Sequence, residues 1–98
     1  MVIPVVVRYT SRPGHEADLE QMCRRHWNTL HREHLTTDRP AILLRVDGAP
    51  GVFLELFEWV STEAIRSAHG HPAVRELWDA MESVGTVEPW DGAYLDLE

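Results

Sequence analysis

The chain opens on a β-branched run, and the spacing of its apolar positions then changes period. Residues 5–9, from Val5 to Tyr9, favour a strand that the turn formers Thr10-Ser11-Arg12-Pro13-Gly14 bring to an end. From His15 the inward pattern falls at Leu19, Met22, Cys23, His26, Trp27, Leu30 and His34. Steps of three and four predict an amphipathic helix, and Glu16, Asp18 and Glu20 suit its positive N-terminal end. It stops before the Thr36-Thr37-Asp38-Arg39-Pro40 stretch. Residues 41–46 and 52–60 are predicted strands, joined as a hairpin by Asp47-Gly48-Ala49-Pro50-Gly51. Ser61 or Thr62 caps a short helix running to about residue 68. His71-Pro72 opens another, because proline suits a first helical turn, and Val74, Leu77, Trp78, Met81 and Val84 are its apolar stripe. Gly85 ends it, and residues 90–97 alternate enough to predict a last strand.

The order β-α-β-β-α-β, with the second helix broken in two, predicts an α+β domain of ferredoxin-like type: an antiparallel sheet with helices on one face. It occupies residues 1–98 as one domain. The other face of the sheet is too apolar for water. Phe53, Phe57 and Trp59 point one way, but Val52, Leu54, Leu56 and Val60 point the other; in residues 41–46, Ile42, Leu44 and Val46 oppose Ala41 and Leu43. A sheet with one wet face alternates more cleanly. A chain of 98 residues has no second layer of helices to offer, so the pattern predicts a homodimer packed sheet to sheet.

Charge narrows the partners. Nine cations against sixteen carboxylates leave a formal charge of −7, which argues against nucleic acid and against anionic membranes. Every cation is arginine, so Schiff-base, pyridoxal-phosphate and P-loop lysine chemistry is excluded. The single cysteine, Cys23, has no internal disulfide partner and fits a reducing compartment. No cationic segment precedes the apolar start, which is itself too short to span a bilayer. A cytoplasmic protein is expected.

Histidine is therefore the main candidate for acid–base work. His26 lies within the apolar stripe of the first helix, where it reads either as a general base or as a core histidine satisfied by a carbonyl. His69 and His71 flank Gly70 at the helix break and read as catalytic; the plainer alternative has His71 capping the next helix and His69 packing under Trp78. A facial metal set of His69, His71, His26 and Glu55 can be drawn on paper, but no H-E-x-x-H or C-x-x-C spacing accompanies it and no metal is expected. Arg8, Arg45, Glu55 and Glu58 interrupt apolar strands. Arg45 is expected to pair across the hairpin with Glu55 or Glu58, since buried charges come paired, and Arg8 or Arg45 to meet a substrate phenolate or carboxylate. The four tryptophans with Phe53, Phe57 and Met81 fill a core, and they also suit a cavity for a flat ligand. Tyr9, Trp27, Arg45, Trp59, Trp78 and Met81 are the expected ligand-contacting set, with Trp27 and Trp78 facing a common cavity.

Arg8-Tyr9, Pro13-Gly14, Gly51-Val52-Phe53-Leu54-Glu55, Phe57-Glu58-Trp59 and Ala68-His69…His71-Pro72 resemble the dimeric α/β-barrel superfamily over essentially the whole chain, and within it the antibiotic-biosynthesis-monooxygenase-like group. The resemblance implies two ferredoxin-like sheets paired into a barrel, with a pocket in each protomer between helices and sheet. It also implies a cofactor-independent monooxygenase acting on an aromatic or polyketide-like molecule. A polyketide cyclase or isomerase using histidine acid–base chemistry, and a non-catalytic ligand-binding dimer, are the alternatives. Haem-degrading members of the superfamily use an asparagine on the first strand; here that strand carries Arg8, and the sole asparagine is Asn28 on the first helix.

Overall fold

A computed structural model describes residues 1–89. Its elements are β1 (Ile3–Ser11), α1 (Glu16–Arg32), β2 (Ile42–Arg45), β3 (Val52–Trp59), α2 (Thr62–Gly70), α3 (Pro72–Val84) and β4 (Gly85–Pro89). The strands form one antiparallel sheet in the order β2-β3-β1-β4, as the α+β ferredoxin-like reading requires. The strand expected at residues 90–97 lies outside the described residues. The fourth strand seen is β4, which begins where α3 ends. Gly85 does terminate the helix, but its backbone is extended rather than left-handed. Glycine is needed for another reason: a Cβ there would strike the Thr10 carbonyl oxygen on the neighbouring strand.

Strand period decides which side chains meet the helices. Tyr9 faces Phe53 and Val7 faces Glu55 across β1 and β3, so these share one side of the sheet. On β3, Phe53, Glu55, Phe57 and Trp59 are all buried. On α1, Leu19, Cys23, His26 and Leu30 are buried at the predicted spacing of three and four. Two clusters fill the space between layers. One gathers Tyr9, Leu19, Cys23, Phe53 and Met81; the other gathers Leu30, Phe57, Trp59, Ala68 and Val74. Trp78 packs against both, which puts α3 across the middle of the layer.

Local signals act as expected at the helix starts. The Ser61 side chain accepts from Ala64 N–H, and His71 accepts from Ala73 N–H ahead of Pro72. Gly51 closes the hairpin with φ 82°, a left-handed conformation that L side chains avoid, and a Cβ there would also meet the Ser11 hydroxyl.

The second face of the sheet carries Val6, Leu54 and Leu56 with Ile42 and Leu44 on the edge strand. Ile42 is 54% exposed and Leu44 46%, so this apolar patch has no cover within the described residues. Among those residues, no helix is long and apolar enough to cross a membrane.

Candidate functional site

One polar cluster lies inside the apolar layer, built from three elements of the fold. Glu55 on β3 is 1% exposed. Its Oε1 accepts the Tyr9 hydroxyl from β1 at 2.6 Å and lies 2.8 Å from His26 Nδ1 on α1. The second imidazole nitrogen, Nε2, lies 2.8 Å from the indole nitrogen of Trp78 on α3. An indole N–H can only donate. Nε2 must therefore present its lone pair, and Nδ1 carries the proton and donates to Glu55. The direction of every bond follows: Trp78 donates to His26, and His26 and Tyr9 both donate to Glu55.

This arrangement answers the cost of burying a carboxylate. Hydrogen bonds to a charged group contribute about 1.5–3 kcal/mol each, and an unmet buried charge costs several. Burial and the adjacent Glu55 charge push the Tyr9 phenol well above its ordinary value, so it remains a fixed donor. Burial, with Glu55 nearby, pushes the Cys23 thiol up to about 12; it stays protonated and is a core residue rather than a nucleophile.

Tyr9, His26 and Trp78 line a cavity of about 330 Å³, at the small end of the range for ligand cavities. Val5, Val7, Phe57 and Trp59 supply its apolar wall. Phe57 meets the His26 ring edge to face at 5.7 Å. His69 packs on Trp78 with ring centroids 5.0 Å apart, and also lines the cavity. Arg75, Asp79 and Glu82 on α3 form a charged border to it.

Of the residues expected from sequence, the cavity thus brings together His26, His69, Tyr9, Trp59 and Trp78. Trp27 lies elsewhere: it stacks on His31 with centroids 4.4 Å apart and lines a second cavity. The expectation that Trp27 and Trp78 share one cavity is corrected, because one helical step past His26 turns Trp27 to the β2 side of α1. Met81 is buried in the core. His71 caps α3 and its Nε2 is 2.9 Å from Glu33, away from the cavity. Arg45 does not pair across the hairpin. It is exposed and bonds Glu20 of α1 at 2.6 Å, because β2 is the sheet edge and Glu55 is already taken by Tyr9 and His26. Glu58 instead meets Thr37 and Arg39, and Arg8 meets Glu88 at 3.1 Å. Among the described residues, no group of His, Cys, Asp and Glu forms a metal-ligating set.

Glu55 is the member of the site that sequence reasoning left out as a hub. The signal was present: Glu55 sits between Phe53 and Phe57 at strand period, on the face that every neighbour marks as inward.

No family model and no curated protein matches the chain. Solved structures do. SnoaB, a cofactor-independent oxygenase from Streptomyces nogalater, superposes with a TM-score of 0.74 at 21% identity, over 90% of this chain and 87% of that one. An antibiotic biosynthesis monooxygenase matches with a TM-score of 0.71 at 18% identity, over 93% and 97%. Rv0793 from Mycobacterium tuberculosis matches with a TM-score of 0.71 at 15% identity, over 91% and 92%. The chain therefore has the fold of the antibiotic biosynthesis monooxygenases.

Proposed function

We propose that the protein is a cofactor-independent monooxygenase acting on a flat aromatic carbon acid of the phenol or anthrone type, with His26 as the base. The observation that carries this reading is the directed chain Trp78–His26–Glu55–Tyr9 on the wall of an apolar cavity. Glu55 orients the His26 ring by taking its Nδ1 proton, as an orienting carboxylate does for a catalytic imidazole, and the ring, whose Nε2 accepts from Trp78, lines the cavity. A substrate with an acidic C–H then competes with the Trp78 N–H for Nε2. Proton transfer leaves an imidazolium next to the Glu55 carboxylate and a delocalised carbanion against the aromatic wall. The carbanion reduces dioxygen: one oxygen atom becomes the new carbonyl of the substrate, and the other leaves as water with the two hydrogens the substrate loses, both from the methylene in an anthrone, or one from the ring carbon and one from the hydroxyl in a phenol. The fold shared with SnoaB supports the same class of chemistry.

The uncovered sheet face supports a homodimer packed through Val6, Ile42, Leu44, Leu54 and Leu56. A cytoplasmic location agrees with the lone buried Cys23.

Oxygen uptake by the purified protein with a panel of anthrones tests the reaction. Uptake that is lost in His26→Ala and retained in His71→Ala is expected. Turnover that proceeds equally without oxygen would assign a cyclase or isomerase instead, and no turnover across the panel would set the oxygenase aside. Sedimentation of the parent and of Leu44→Arg tests the dimer; equal masses for the two would refute this interface.

A further inference from the structure

The charged border of the first cavity has two unlike ends. Arg75, Trp78, Asp79 and Glu82 all line it from α3, at spacings that set them along one edge of a helix. Arg75 lies near the N-terminus of α3 and Glu82 near its C-terminus, about 10 Å apart along the axis at 1.5 Å per residue. The positive end of the helix dipole falls on the Arg75 side and the negative end on the Glu82 side. The border is therefore cationic at one end and anionic at the other. Among the residues that line the cavity, Arg75 alone carries a permanent positive charge.

Helix stability does not account for this arginine. It is the fourth residue of α3, close to the end where the dipole disfavours a cation. Its one ion-pair contact among the described residues is with Asp79 at 3.9 Å, beyond hydrogen-bonding distance. Arginine ahead of the carboxylate is also the weaker order for a pair four residues apart. Both side chains are more than half exposed, at 53% and 65%, so the pair contributes little. The guanidinium thus keeps its N–H donors for another partner, in a planar fork that matches a carboxylate. Three residues further along the same edge, the Trp78 indole nitrogen lies 2.8 Å from His26. A ligand held at Arg75 by an outer ring directs its inner rings along the wall toward His26.

We propose that Arg75 is the specificity-determining residue of the first cavity, and that its ligand is a flat aromatic molecule carrying a carboxylate on an outer ring. This narrows the aromatic-ligand reading of the cavity, on which it rests, to an aromatic acid. The carboxylate sits at the cationic end of the border, in charge-assisted hydrogen bonds to the guanidinium, and Glu82 repels it from the other end. The ligand therefore enters in one orientation. A neutral ligand of the same shape keeps the apolar contacts and loses the anchor.

Binding of anthraquinone-2-carboxylate and of its neutral carboxamide, followed by tryptophan fluorescence on the whole protein, tests the anchor without turnover. The parent should bind the carboxylate about three- to tenfold more tightly than the carboxamide, between what an exposed and an enclosed ion pair give. In Arg75→Met the two affinities should become equal, through weaker binding of the carboxylate and not of the carboxamide. The parent's preference should also fade at about 1 M salt, where screening acts within roughly 3 Å. Arg75→Gln is the second variant at this exposed position and is judged by the same outcomes. A preference that survives in Arg75→Met, or a parent that holds the carboxamide as tightly as the carboxylate, would overturn the anchor and leave the aromatic cavity standing. Failure of both compounds to bind the parent would overturn the anchor together with the aromatic-ligand reading.

Discussion

Replacing Glu55 separates what its shape contributes from what its charge contributes. In Glu55→Ala the Tyr9 hydroxyl and the His26 Nδ1–H both lose their acceptor at positions 1% and 3% exposed. Each buried donor left unmet costs about 1–3 kcal/mol. The lost side-chain volume adds a cavity term, and removal of a buried charge offsets part of the total. A destabilisation of about 3–5 kcal/mol is expected. For a domain of this size each kcal/mol moves the melting temperature by about 4–8 °C, so the midpoint should fall by roughly 12–40 °C. Glu55→Gln keeps the volume and keeps a carbonyl oxygen where Oε1 sits. Both donors retain a partner, the bonds weaken from charged to neutral strength, and the desolvation of a carboxylate is no longer needed. These changes oppose one another, and the stability should stay within about 1 kcal/mol of the parent. The function should not: without the carboxylate the imidazolium of His26 has no counter-charge, so oxygen uptake should fall in Glu55→Gln as it does in Glu55→Ala. Urea unfolding at neutral pH and one fixed protein concentration measures the stabilities. The reasoning is refuted if Glu55→Ala is as stable as the parent, or if Glu55→Gln is destabilised as much as Glu55→Ala.

Long-range proton–nitrogen correlation spectra should find the neutral His26 ring protonated at Nδ1 and bare at Nε2; the opposite tautomer would contradict the Trp78 bond. His71→Ala removes the cap of α3 and should cost about 0.5–2 kcal/mol in urea unfolding while leaving ligand binding in the first cavity unchanged; a loss of binding would bring His71 back to the site. Cys23 should make stability fall in alkali. Its thiol is raised from 9.0 to about 12 in the fold, so between those values the unfolded chain has released a proton that the folded chain retains. Stability then declines as pH rises through that window, by up to about 1.4 kcal/mol per pH unit for this group, and Cys23 has no effect below it. Unfolding curves of the parent and Cys23→Ala between pH 8 and about 11 should therefore converge or cross; parallel curves would refute the assignment.

Much of the fold was legible in local pattern. The three-four spacing of Leu19, Cys23, His26 and Leu30, the alternation of residues 52–60, and the caps at Ser61 and His71 each act through neighbours in sequence, and the structure follows them. The same patterns placed His26 inward and made the second sheet face too apolar for water. They could not say what His26 meets. Its partners stand 17, 29 and 52 residues away along the chain, and only the sheet register sets Tyr9 and Glu55 on one side of the same two strands. Arg45 shows the same limit from the other direction: proximity across a hairpin suggested Glu55, but the fold had committed Glu55 to the interior and left Glu20 within reach. Trp27 and His26 are adjacent in sequence, yet a helical step of about 100° sends them to different cavities. Sequence by itself thus determined which residues must be inside, because burial follows from periodicity and apolarity. Which buried polar groups share a proton, and from which cavity each is reached, was decided by tertiary packing, because hydrogen bonds depend on distances that no local rule contains.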